Sequence, residues 1–216
     1  VVTEVGLVGP GLLGCALARA LPDPLYRIGP VLGRDRVSSR RAARAIGRGW
    51  PAESFVEFAA SRLIVAAPPE EELAFVAEAA ADALPGGRRR VLLHTCPCWR
   101  GAEASLARLS ARGVAVGGLL PIVAFRRPVA KALGWSFAGW GEPAALREAR
   151  RLVHSLGGRF EPIAPEHSAI VAEAARRAAD ELERSIDDAV RRLTAAGLAR
   201  GRAVVQVPVA DLEGDR

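Results

Sequence analysis

The sequence predicts an α/β protein: a doubly wound, mainly parallel sheet followed by a long C-terminal helix. Three observations carry that expectation. A strand, a glycine turn and a helix open the chain, short apolar runs then alternate with helical stretches, and the last helical stretch bears one apolar stripe. In the opening unit the apolar run Val5 to Val8 ends in GPGLLG at Gly9 to Gly14 and continues into the helix-like CALARAL at Cys15 to Leu21.

The remaining elements follow in order. Tyr26 to Gly33 reads as a second strand and Ser38 to Ile46 as a helix, and a short helix around Glu53 to Ala60 precedes a buried strand, Leu63 to Ala67, stopped by Pro68 and Pro69. Glu70 to Leu84 reads as a helix with acids in its first turn, where the helix dipole favours them, and it ends at Pro85, Gly86 and Gly87. Strand Arg90 to His94, helix Gly101 to Arg112 and strand Val114 to Leu119 come next. Two more strands, Trp135 to Trp140 and Arg159 to Ile163, enclose the helix Pro143 to Leu156. Strands alternating with helices imply parallel pairing and right-handed crossovers, so residues 1–165 are expected to form one nucleotide-binding α/β domain.

From Glu166 to about Ala196 the period becomes helical throughout. Ile170, Ala174, Ala178, Leu182, Ile186, Val190 and Leu193 recur at spacings of three or four and form one stripe. About 30 helical residues make a rod of roughly 45 Å, longer than a small domain is wide. Residues 166–216 are therefore expected to be a helical dimerisation element that packs on a second copy, with a further strand at Ala203 to Val207.

Composition narrows the function classes. Half of the 216 residues are hydrophobic but only 5% are aromatic, so the core is built from Ala, Val and Leu, as suits a parallel sheet under helices. The formal charge of +6 raises the question of nucleic acid. The basic residues are spread along the chain and alternate with acids, however, and Lys131 is the only lysine beside 29 arginines. Spread charge of this kind reads as a solvated surface, and no nucleic-acid partner is expected. No uninterrupted apolar stretch reaches about 18 residues, so no membrane association is expected. Three cysteines are an odd number without a disulfide framework, and no charged leader precedes the first apolar run, which together imply a cytoplasmic, reduced protein.

The opening GPGLLG has the spacing of the Rossmann dinucleotide fingerprint. Gly9 allows the tight turn, Gly11 lets the backbone approach a pyrophosphate, and Gly14 allows close packing of helix on strand. Pro10 restricts the turn by removing one N–H, and the amides of Leu12, Leu13 and Gly14 at the helix start would receive the phosphates. The competing reading is a glycine turn with no ligand.

Cofactor choice is set about 20 residues past the glycines. There the sequence runs GRDRVSSR, in which Arg34, Arg36 and Ser38, with Ser39 and Arg40, offer donors to a 2′-phosphate, so NADP is expected over NAD. Asp35 is the competing signal, a ribose acceptor if the strand ends one residue later. A basic, solvated loop is the alternative without function.

His94 ends a central strand at the edge where such sheets bind ligands, and an imidazole there could polarise a carbonyl or donate a proton. A histidine half-buried against backbone is the other reading. His94, Cys96 and Cys98 alternate along the chain, but a closed zinc site needs four ligands and no second pair exists, so no metal is expected. A thiol nucleophile at Cys96 or Cys98 would have only His94 as base. Among the four tryptophans, Trp99 stands nearest to the expected pocket, although packing in the core or at an interface is the favoured reading for all four.

With these residues in place, the chain resembles a Rossmann-like family of oxidoreductase-type proteins related to pyrroline-5-carboxylate reductases, 6-phosphogluconate dehydrogenases and deazaflavin-linked NADP reductases. The resemblance rests on GPGLLG, on LGRDRVSSRRAARAIG at Leu32 to Gly47, on LIVAAPPEEEL at Leu63 to Leu73 and on VLLHT at Val91 to Thr95. LLPIVAF at Leu119 to Phe125 and LGGRFEPIAPEHSA at Leu156 to Ala169 extend it. It implies that Ala66, Ala67 and Pro68 pass beside the ribose and nicotinamide end of the cofactor, with the strand of His94 close by. It also implies a divergent, C-terminally shortened member. Cys96, Pro97 and Cys98 replace the usual continuation after the His-Thr pair, Leu120 and Pro121 stand for a His-Pro pair, and Val171 and Ala172 for a Tyr-His.

The function implied is NADP-dependent hydride transfer between nicotinamide and a small substrate of unknown identity. The alternative is a non-catalytic protein that holds or senses a dinucleotide.

Overall fold

The computed structural model describes residues 2–85, 90–122 and 134–196. Its chain falls into two compact units, Val1–Glu173 and Ala174–Arg216. The expected strand at Ala203 to Val207 lies outside the described residues.

The first unit opens with β1 (Thr3–Val8), α1 (Leu12–Ala20), β2 (Tyr26–Leu32), α2 (Arg36–Ile46), a two-residue β3 (Trp50–Pro51) and β4 (Leu63–Ala66). It continues through α3 (Leu73–Ala83), β5 (Arg90–His94), α4 (Glu103–Ala111), β6 (Val114–Pro121), β7 (Ser136–Gly141), α5 (Pro143–Ser155) and β8 (Arg159–Pro162). The strands form one sheet in the order β3-β2-β1-β4-β5-β6-β7-β8. β1 to β6 are mutually parallel, in the 3-2-1-4-5-6 order of a dinucleotide-binding fold.

Both faces of the sheet are covered, which is why a strand such as LIVA at Leu63–Ala66 is apolar throughout and fully buried. One core joins β1 and β2 to α1, α2 and α5 through residues such as Leu17, Ala42, Ala149 and Leu152. The other joins Ile64, Ala66 and Leu92 to α3 and α4 through Val76, Ala80, Leu106 and Leu109. A third, small cluster of Leu120, Ala138 and Trp140 packs with Trp99, Ile163, Val171 and Ala172. Alanines on the buried helix faces let the helices lie close to the strands with few aromatics.

Three local expectations change. The stretch Glu53 to Ala60 is a 3-10 helix, Phe55–Ala60, and a 3-10 turn at Glu70–Glu72 precedes α3. The edge strand β3 is two residues long, too short to leave a period in the sequence. β7 runs antiparallel to β6, with Gly118 opposite Trp140 and Leu120 opposite Ala138, while β8 returns parallel to β7. Antiparallel neighbours need no crossover helix, and no helix separates these two strands in the expected order, so alternation gave no information at this junction.

α6 (Ser168–Ala195) is a continuous helix of 28 residues that starts after a 3-10 turn at Pro165–His167. On it Ile170 and Leu182 are exposed, 67% and 48% respectively. Among the described residues no helix is long and apolar enough to cross a membrane.

Candidate functional site

The carboxyl edge of the sheet at the β1/β4 switch point is where this topology opens a crevice. Backbone hydrogen bonds assemble its floor: Gly9 N donates to Leu32 O (2.9 Å), Ala67 N to Val8 O (2.8 Å) and Thr95 N to Ala66 O (2.9 Å). These bonds hold the glycine turn, the Ala66-Ala67-Pro68 segment and the end of β5 side by side.

Gly9 adopts φ +60°, and a Cβ on it would lie 2.7 Å from the Cα of Pro68. Conformation and space both require glycine there. Gly11 differs, since a Cβ on it would meet nothing within 4 Å, so its backbone borders open space. At Gly14 a Cβ would make only ordinary contacts, 3.5 Å to Pro10 and 3.8 Å to Ala67, so close helix packing is not what this glycine supplies.

Gly11 is the N-cap of α1 and no side chain caps the helix. Cys15 N donates to Gly11 O, so the first intrahelical bond begins at Cys15. The amides of Leu12, Leu13 and Gly14 therefore have no intrahelical acceptor and lie at the positive end of the helix dipole. A diphosphate fits that arrangement, because it offers acceptors and negative charge where the chain supplies donors and no side chain.

Beside the turn lies a cavity of 550 Å³, bordered by Val8, Gly9, Leu32, Gly33, Pro68 and Val76. Arg34 lines it, together with Glu53, Glu71 and Glu72. Its apolar walls and size suit the adenosine half of a dinucleotide.

The β2–α2 loop places Asp35 at the start of a helix. Asp35 is the N-cap of α2: its carboxylate accepts from Ser38 N (2.7 Å), and Asp35 N donates to the Ser38 hydroxyl (3.0 Å). These bonds hold the Asp35 carboxyl below its usual range, the backbone N–H of Ser38 being the largest cause. One of its oxygens, Oδ1, is thus engaged at the helix start. The Ser38 hydroxyl also donates to Asp35 O (2.8 Å), so Ser38 serves the same capping box and has its donor engaged. Arg34 on the loop and Arg36 at the start of α2 are exposed, and Arg36 Nε meets Glu53 Oε1 at 2.9 Å. A sequence scan for a capping box, Asp followed three residues later by Ser, identifies this role of Asp35.

His94 ends β5 but is only 1% exposed. Its ring meets Trp140 edge-on, with centroids 5.6 Å apart, and Nδ1 has no protein partner. Burial pushes its pKa down to about 4, with a backbone hydrogen bond at Cys96 opposing in part. The imidazole is neutral at pH 7, so it can polarise or orient a group but does not start as a proton donor in imidazolium form. His94 is more deeply buried than the half-buried histidine expected.

Cys96 is buried, and its Sγ donates to Pro68 O at 3.5 Å, tying β5 to the β4 loop. Burial first, then the nearby Glu70 and Glu71 charges, push the Cys96 thiol up to about 12. Cys98 is exposed, and desolvation followed by a hydrogen bond with Glu70 raises it as well. A raised thiol pKa disfavours the thiolate, the form in which cysteine is a nucleophile. Among the described residues no group of three or more His, Cys, Asp or Glu could hold a metal ion.

A second cavity, 840 Å³, begins one residue past Cys96 and is lined by Pro97, Cys98, Trp99, Arg100, Glu103 and Glu166. Trp99 both borders this cavity and packs against the core. Arg100, Glu103 and Glu166 carried no motif, because they meet only when the β5 loop folds against the start of the last helix.

No family model matches the sequence, and no curated protein matches it. Solved structures match its fold. The Plasmodium falciparum pyrroline carboxylate reductase with NADP bound matches at 13% identity and a TM-score of 0.67, over 93% of this chain and 72% of that one. An imine reductase from Pseudomonas sp. matches at 16% identity and a TM-score of 0.68, over 94% and 70%. Synechocystis arogenate dehydrogenase matches at 15% identity and a TM-score of 0.64 over 77% of this chain, which spans 61% of the dehydrogenase. A prephenate dehydrogenase from A. aeolicus, solved with NAD+, shares the fold at 16% identity and a TM-score of 0.61. The chain therefore has the Rossmann-like α/β fold found in pyrroline carboxylate reductases and imine reductases.

Proposed function

We propose that this protein is an NADP-dependent oxidoreductase that moves a hydride between nicotinamide and a small molecule. The observation that carries it is the uncapped start of α1, with Gly11 facing open space beside the 550 Å³ cavity. The shared fold supports it, since one of the matching reductases was solved with NADP.

In this reading the amides of Leu12, Leu13 and Gly14 bind the diphosphate, and Gly9 and Pro10 shape the turn. Arg34 and Arg36 meet the 2′-phosphate, which favours NADP over NAD, and Ser38 places Arg36 through the helix cap. Ala66, Ala67 and Pro68 direct the nicotinamide end toward β5. When bound, the reduced cofactor supplies a hydride. The cavity at Trp99 and Arg100 receives the substrate, and buried neutral His94 supports the wall between the two. The apolar stripe of α6 pairs two copies into a homodimer, residues 166–216 forming the dimerisation element and residues 1–165 the nucleotide-binding domain.

A fluorescence titration with NADPH tests the first step. Gly11→Asp keeps the helix start, because Asp is a good N-cap. It places a carboxylate where the diphosphate would lie, so thermal stability is expected to hold while NADPH affinity falls at least about tenfold. Unchanged affinity in this variant, or no binding by the parent at millimolar NADPH, would overturn the reading. Consumption of NADPH with a panel of imines and keto acids then separates an enzyme from a protein that only holds or senses the dinucleotide.

A further inference from the structure

We infer that Glu53 sets how strongly this site separates a 2′-phosphate from a 2′-hydroxyl, by acting as an internal anion on Arg36. The inference rests on the dinucleotide reading and goes beyond it, because Glu53 lies outside the glycine turn and the β2–α2 loop.

Glu53 stands in two places at once. Its carboxylate pairs with Arg36 at 2.9 Å, and the residue lines the cavity that Arg34 and Gly33 also border. Hydrogen bonds hold its backbone in place. Ala52 N donates to Val31 O (2.9 Å), tying the segment to β2, and Glu53 N donates to Glu57 Oε1 (2.7 Å) at the start of the following 3-10 helix. The acid that opposes the arginines is thus delivered from beyond β3. Asp35, the acid adjacent in sequence, is taken up in the α2 cap.

The pair is exposed, with side-chain accessibilities of 65% for Arg36 and 63% for Glu53. Exposed ion pairs are weak and exchangeable. A 2′-phosphate carries more charge and more acceptor oxygens than one carboxylate, and guanidinium binds it in a bidentate manner. It displaces Glu53 from Arg36 at the cost of that pair, whereas a 2′-hydroxyl leaves the pair intact. Glu71 and Glu72 in the same cavity add negative charge that Arg34 alone does not balance, which makes release of Arg36 matter for a dianion.

The experiment measures NADPH and NADH binding by fluorescence titration for the parent protein, Glu53→Gln, Arg36→Gln and the double variant. Glu53→Gln is expected to tighten NADPH roughly two- to fivefold, the scale of an exposed pair, and to leave NADH within error. Arg36→Gln is expected to weaken NADPH selectively, and Glu53→Gln is expected to have no selective effect once Arg36 is gone, a coupling that the double variant isolates. If both nucleotides bind but Glu53→Gln shifts them equally, shifts neither, or acts in full without Arg36, the inference fails and the dinucleotide reading stands. If the parent binds neither nucleotide, both fail together.

Discussion

His94 sits at the end of a central strand, where a catalytic histidine would sit, yet the fold treats it as a core side chain. Its pKa is held near about 4 by burial, against 6.5 for an unperturbed imidazole. Between these values the unfolded chain binds a proton that the folded chain does not, so stability falls as pH drops from 6.5 toward 4. From pH 7.5 to 5 the loss attributable to this one group is about 2 kcal/mol. His94→Leu removes it. Urea unfolding at the two pH values is expected to show the parent losing about 2 kcal/mol more than the variant. An equal loss in both would mean that His94 charges as easily inside the fold as outside. The position of His94 was legible in the sequence. The downward shift of its pKa was not, because that comes from burial, which only the folded chain provides, with Trp140 of β7 against the ring.

At the scale of elements, α2 shows how one residue type can carry two meanings. Asp35 satisfies both the spacing of a ribose acceptor and the pattern of an N-cap, and the structure assigns it to the cap. Asp35→Ala is expected to destabilise the protein by about 1 kcal/mol, read by chemical denaturation. NADH affinity is expected to change little, whereas a large selective loss of NADH binding would return Asp35 to the ribose. Elsewhere the parallel core was legible from short apolar runs, Val5 to Val8 in β1, Leu63 to Ala66 in β4 and Val91 to Leu93 in β5. β3 was not legible, being two residues of an edge strand, and the direction of β7 was not, being set by pairing with β6.

For the whole molecule, the consequence to test is assembly. A helix of 28 residues with an apolar stripe that includes exposed Leu182 calls for a partner surface, and a second copy of α6 supplies one with matching period. Sedimentation equilibrium is expected to give twice the monomer mass, and Leu182→Glu combined with Ile186→Glu is expected to give the monomer with its helix content retained. A parent protein that sediments as a monomer at micromolar concentration would exclude the homodimer.

The amino-acid sequence alone determined the glycine turn, the order of the parallel strands' elements and the length of the last helix. Each of these follows from local patterns of apolar, glycine and proline residues. Only the tertiary structure decided that His94 is buried against Trp140, and that Glu53, in the wall of a cavity, meets Arg36. These outcomes depend on neighbours far apart in the chain, and burial and charge are properties of what surrounds a residue rather than of the residue itself.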